Sequence, residues 1–312
     1  MKTIFFEKEI EWYLQEIKKN LNNLNLILSI EIFRVIPTYE FIYDKNSEYE
    51  EDGANALVKC LDYENHKYQI ILGDKLFKYL HNYIQSIEIN NIFKDTNFNI
   101  DMKYKYSSIL LIWFNFICCH ELSHILNGHL LFLKNKYPKK YFTEFNMIET
   151  IDKELSKDIL MLEVDADRLA SLLSVYFFSF SIKRFSKFFR LKNKDSIYIY
   201  SSSIIYLFDA LDELNNREDF RVTHPSALER MTLINPILSE SFLNYNFTSK
   251  YKTNKYIYDS LKEYAIKSPN VNIKRLESIL TEGLIGYEYD KFITDVNLKQ
   301  YNYLKENLLK IN

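Results

Sequence analysis

Residues 109–126 read ILLIWFNFICCHELSHIL. The first part, Ile109–Cys119, is apolar apart from Asn115, and His120, Glu121 and His124 then break into it. An apolar run of this kind without Gly or Pro reads as a helix buried on all sides. Ser107-Ser108 marks its start and Gly128 its stop, which predicts a helix over about 107–127. Polar side chains set in such a helix need partners. His120 and His124 are four apart, so they lie one turn above each other on one face. Two imidazole nitrogens can then meet one tetrahedral metal ion at about 2.0–2.1 Å. Glu121 is rotated by about 100° from His120, beside the metal and not on it. A carboxylate there can take a proton from water and pass it to a leaving amine. An HExxH string arises by chance in roughly 1% of chains of this composition, so its apolar setting carries the argument and not the motif alone.

A zinc hydrolase needs a third protein ligand, leaving one position open. Glu163-Val164-Asp165-Ala166-Asp167 lies in a second apolar helical stretch, predicted over about 145–182. Glu163 and Asp167 share a face, and small Ala166 between them permits close packing. Glu163 can bind the metal while Asp167 accepts the free N–H of a ligand imidazole, His120 by preference. Asp165 falls on the other side and is the weaker candidate. Farther on, Thr223-His224-Pro225 opens a helix, since Pro suits the first turn. From that start His224 can serve as a donor to a tetrahedral oxyanion or as a simple cap. Arg230 can anchor the loop or bind a substrate carboxylate.

HELSHILNGH, EVDADRLA and THPSALER, in that order, resemble the three signatures of the gluzincin zinc metallopeptidases: HExxH, ExxAD and HPxxxxR. Ala54–Leu57 followed by Tyr68–Gly73 is similar to the strand pair that precedes the active-site helix in that family. The resemblance implies one Zn2+ per chain held by His120, His124 and Glu163, Glu121 as general base, and His224 near the substrate. Separately, the order of the strands suggests an exposed sheet edge to which an extended substrate can add, with Ala56–Leu61 as the expected edge. Within the group the chain looks like the Lit phage-exclusion peptidase family, bacterial enzymes that cleave translation elongation factor Tu. A protein substrate of the translation-factor kind, and an activator peptide or protein that releases the activity, follow as expectations. Two other functions compete: a metal-stabilised binding or regulatory module without turnover, and a membrane-associated peptidase like the prenyl-protein enzymes that share these motifs.

The rest of the chain bounds these readings. It has 312 residues, 47% hydrophobic and 26% charged, with a formal net charge of −2. That is a globular composition without the basic footprint that nucleic acid or acidic lipid requires. Five Gly and five Pro are too few for an all-β fold with many tight turns. The expected class is α+β and helix-dominated. A small sheet within about 30–72 comes first, with strands at 30–36, Ala56–Leu61 and Tyr68–Leu72. Helices follow at 6–22, from Asp74 as N-cap to about Ile87, and over Ser196–Leu214, with polar connectors at 90–106 and around Pro138. Residues 1–238 form the expected catalytic domain and 239–312 a C-terminal helical extension. Three cysteines (Cys60, Cys118, Cys119) without a CxxC pair fit a reducing compartment. Acidic residues inside the N-terminal stretch argue against a signal peptide. Ile109–Cys119 and Leu169–Ile182 fall short of the roughly 18–20 apolar residues that span a bilayer. A cytoplasmic location is expected, with peripheral membrane association as the alternative. His129 is expected to be a helix-end residue and not a ligand.

Overall fold

A computed structural model describes residues 38–44, 56–87, 92–93, 102–137, 153–189, 193–216 and 227–244, with single turns at 11–12, 15–16, 18–19, 256–257, 259–260 and 264. A three-stranded sheet comes first: β1 (Thr38–Asp44), β2 (Ala56–Asp62) and β3 (Lys67–Gly73). Six helices follow among the described residues: α1 (Asp74–Ser86), α2 (Met102–Leu126), α3 (His129–Lys136), α4 (Lys153–Phe189), α5 (Asn193–Asn216) and α6 (Ala227–Asn244). The class is α+β with helix dominant.

β3 is central, in the order β1-β3-β2. It pairs parallel with β1, Thr38 opposite Lys67, and antiparallel with β2, Ala56 opposite Leu72. Its Tyr68, Ile70, Ile71 and Leu72 are all buried, as a strand covered on both faces requires. The β2–β3 turn is held by Asp62, whose Oδ1 accepts the backbone N–H groups of Glu64 and Asn65 at 3.0 and 3.1 Å, the local bonding for which Asp is favoured in turns. The strand expected over 30–36 lies outside the described residues. The first described strand instead follows Pro37, where TYEFIYD can pair along β3. Asp74 is not the N-cap of α1; Gly73 is, in an extended conformation, with no side-chain cap. Asp74 sits in the first turn, where a carboxylate meets the positive helix end, and there it accepts the Tyr43 hydroxyl and pairs with Lys78.

α2 is the axis of the molecule. It packs against α4, α5, α1 and β2. Trp113, Phe114 and Phe116 are wholly buried. Phe77 of α1 stacks on Phe114 with centroids 3.9 Å apart, and Phe116 meets Phe208 of α5 edge-on at 5.3 Å. Burying an aromatic or branched side chain of this size contributes about 1.5–3 kcal/mol. Trp113 keeps its indole N–H satisfied by donating to the Ser203 carbonyl at 2.7 Å.

The helix begins five residues earlier than Ser107 suggested. Ser108 turns its hydroxyl back to the Tyr104 carbonyl at 2.7 Å, so the serines continue the helix. This lengthens the apolar helix beyond the sequence expectation: Tyr104–Leu126 is long and apolar enough to cross a bilayer, but 94% of that apolar window is buried inside the fold. The polar connector expected around Pro138 is in part the helix α3. α4 begins at Lys153 and runs to Phe189, past the expected end; residues 145–152 lie outside the described residues. α6 passes through 238–239 without a break, with Leu238 and Phe242 both fully buried. The expected extension beyond 244 lies almost wholly outside the described residues. All three cysteines are free and buried.

Candidate metal centre

α2 and α4 bring the two acidic-histidine stretches face to face. His120, Glu121, His124, Glu163 and Asp167 are all buried. His120 Nε2 and His124 Nε2 lie 3.1 Å apart. Glu163 places Oε2 3.2 Å from His120 Nε2 and Oε1 3.6 Å from His124 Nε2. Donors bound to a tetrahedral ion at 2.0–2.1 Å stand about 3.3–3.4 Å from one another. The observed separations bracket that figure, and one donor atom from each of the three residues can be chosen so that all lie within 4.8 Å of one another. Two imidazoles and one carboxylate are also the donor chemistry that suits zinc. The residues fit the ion.

Asp167 organises the next layer. Its Oδ1 is 2.9 Å from His120 Nδ1, so the carboxylate takes the Nδ1–H and leaves Nε2 as the nitrogen turned toward Glu163. Arg230 of α6 donates to both Asp167 oxygens at 2.7 Å, through Nε and Nη2. Its guanidinium also lies over the Phe208 ring, 4.2 Å from the centroid. Arg230 is thus engaged with Asp167 of α4, whereas the loop it is expected to anchor lies outside the described residues. α6 itself is tied to α5 where the Ala227 N–H donates to Asp212 Oδ2 at 2.6 Å. His224 lies outside the described residues.

The charges follow from burial and pairing. Burial opposes charge on His120, but hydrogen bonds to Asp167 and Glu163 outweigh it and push the imidazole up to about 10. A field that holds a proton there is a field suited to a divalent cation. Burial would raise Asp167 as well, yet the Arg230 guanidinium and His120 hold it below the usual carboxylate range. Glu121 is pushed up to about 7, chiefly by burial and then by Glu163, against the opposing pull of His120 and Arg230. A carboxyl group poised near neutrality can both accept and return a proton.

Two residues that the sequence reading set aside, His129 as a helix end and Asp165 as the weaker acid, meet beside the site. His129, wholly buried at the start of α3, lies with its Nδ1 2.8 Å from His124 Nδ1. Asp165 reaches the same turn, with Oδ2 3.1 Å from His129 Nε2 and 2.7 Å from Asn127 Nδ2. The signal was present in Asn127-Gly128-His129: Gly128 adopts a left-handed conformation, φ 70°, which Gly does without strain. That turn folds the chain back beneath the helix it ends.

Comparison with known protein families, with curated proteins and with solved structures finds no match for the chain.

Proposed function

We propose that the chain is a zinc-dependent endopeptidase that hydrolyses a peptide bond in a cytoplasmic protein. The observation that carries this reading is the convergence of His120 Nε2, His124 Nε2 and the Glu163 carboxylate on one point, next to buried Glu121. When bound there, zinc supplies Lewis acidity toward the scissile carbonyl. Glu121 takes the proton from the attacking water and delivers it to the leaving nitrogen. Asp167, clamped by Arg230, fixes the His120 ring. His224, which the HPxxxxR signature implies is near the substrate, donates to the developing oxyanion. β2 is an edge of the described sheet and packs against α2, so an extended substrate strand can add beside it.

The order of the three motifs supports the gluzincin assignment. By the finer resemblance to the phage-exclusion peptidases, the proposal extends to phage defence, with a translation factor of the Tu type as substrate and an activator peptide or protein as trigger.

The test is to induce the chain and its Glu121→Gln form in bacteria and map new protein N-termini. The wild type is expected to generate them. The variant is expected to keep its zinc and lose roughly 10²–10⁴-fold in rate. Equal cleavage by both removes the mechanism. His224→Ala is expected to lower kcat by about 10²–10³-fold with zinc content intact. Near-complete burial of His124 and Glu163 favours one competitor, a metal-stabilised binding module, for which zinc is retained and neither form produces cleavage.

A further inference from the structure

The second nitrogen of His120 meets a carboxylate, Asp167. Among the described residues, that of His124 meets an imidazole, His129, which in turn meets the Asp165 carboxylate. The rings of His120, His124 and His129 follow one another edge to face, with centroids 4.8 and 4.9 Å apart. His129 Nδ1 faces the side of His124 turned away from Glu163 and from His120 Nε2. It therefore stands behind a ligand and is not placed as a further ligand itself.

Proton bookkeeping fixes the arrangement. An ionised carboxylate only accepts, so the 3.1 Å contact to Asp165 Oδ2 requires the proton of His129 on Nε2. A neutral imidazole carries one N–H, so His129 Nδ1 is then an acceptor. The 2.8 Å contact between the two Nδ1 atoms needs one proton, and with His129 a neutral imidazole it is His124 that supplies it. His124 is thereby the Nδ1–H tautomer, and its Nε2 lone pair is directed toward the point shared with His120 and Glu163. Asn127 Nδ2, donating to the same Asp165 oxygen at 2.7 Å, keeps that carboxylate oriented.

The surrounding packing holds the relay together. Leu133 of α3 is buried with Leu155, Ile159 and Leu162 of α4. Asp158 of α4 accepts from Lys136 and Tyr137 at 2.5 and 2.6 Å. α3 is thus pinned along α4, which keeps His129 opposite Asp165.

We propose that His129, backed by Asp165, is a positioning residue for the metal centre: it sets the tautomer and ring orientation of His124. The inference rests on the metal-site reading given above. Removing such outer partners of a ligand typically lowers metal affinity 10–100-fold.

The experiment uses the full chain and zinc alone. Zinc affinity is measured by competition with a chromophoric chelator, and the visible spectrum of the Co2+-substituted protein is recorded. His129→Phe keeps an aromatic ring and loses both contacts; it is expected to weaken zinc binding 10–100-fold and to shift the Co2+ bands. His129→Gln can accept from His124 and donate to Asp165, and is expected to stay within a few-fold of the wild type. Wild-type affinity and an unchanged Co2+ spectrum in His129→Phe would overturn the proposal.

A second measurement needs no variant fold. In the zinc-loaded, 15N-histidine-labelled protein, Nδ1 of His124 is expected to carry the proton and Nε2 to show the metal-bound shift. A His124 bound through Nδ1 would also overturn it. If the wild type binds no zinc, or His124→Ala binds it as well as the wild type, the metal-site reading itself fails. That outcome is distinct from a metal site that is indifferent to His129.

Discussion

Asp167 and Ser171 stand one turn apart on α4, both buried, and their side chains are satisfied in opposite ways. Ser171 donates to the carbonyl of Asp167 in its own helix at 2.7 Å. Ser123, Ser203 and Ser241 do the same, each to the residue four before it, at 2.6–2.7 Å. These serines need only their own helix. The Asp167 carboxylate instead takes partners 47 and 63 residues away. A hydroxyl can be buried wherever the helix runs. A buried carboxylate is stable only where other elements deliver a cation and donors in register. The acidic-histidine face is thus a product of tertiary structure, while Ser123, Ser171, Ser203 and Ser241 are satisfied within their own helices.

The largest expected difference between the two regions is seen on cutting the long-range clamp. Arg230→Met leaves Asp167 buried without its cation and is expected to destabilise the protein by about 3–5 kcal/mol in urea unfolding. A loss no larger than that of a serine substitution would erase the distinction. Next is metal removal. With free zinc at 100 times its Kd, stripping the ion is expected to lower the unfolding free energy by about 2.7 kcal/mol. An unchanged midpoint after chelation means that the imidazoles and acids close on themselves without an ion.

Ser203→Ala should be milder, within about 1 kcal/mol, since only a local bond is lost; a several-fold larger effect would mean that these serines are also held by tertiary structure. The smallest signal concerns a buried group that stays neutral. Burial pushes the Cys60 thiol from 9.0 up to about 11. At pH 8 the native protein should hold about 100-fold less thiolate there than a free thiol, slowing labelling by thiol reagents. Fast labelling of the folded protein at Cys60 would contradict that burial.

Legibility divides along the same line. HExxH, the shared face of Glu163 and Asp167, and the helix bearing Arg230 could be read because spacing of three and four maps directly onto a helix surface. The pairing of Asp167 with His120 was readable too, since a ligand imidazole calls for a carboxylate. The partnership of His129 with Asp165 was not. It depends on a left-handed turn at Gly128 and on α3 lying back along α4, neither of which helical periodicity encodes. The position of β1 after Pro37 was missed for a similar reason. That strand is set by pairing with β3, 29 residues onward in register, which local alternation does not encode.

The clamp on Asp167 also orders events in time. A ribosome releases His120, His124 and Glu163 well before it reaches Arg230, and domains assemble as their parts emerge. The nascent chain therefore carries His120, His124, Glu163 and Asp167 while lacking the Arg230 guanidinium that makes burial of Asp167 tolerable. Tolerable burial of the His120–Asp167 pair is therefore deferred until α6 has been synthesised and docked.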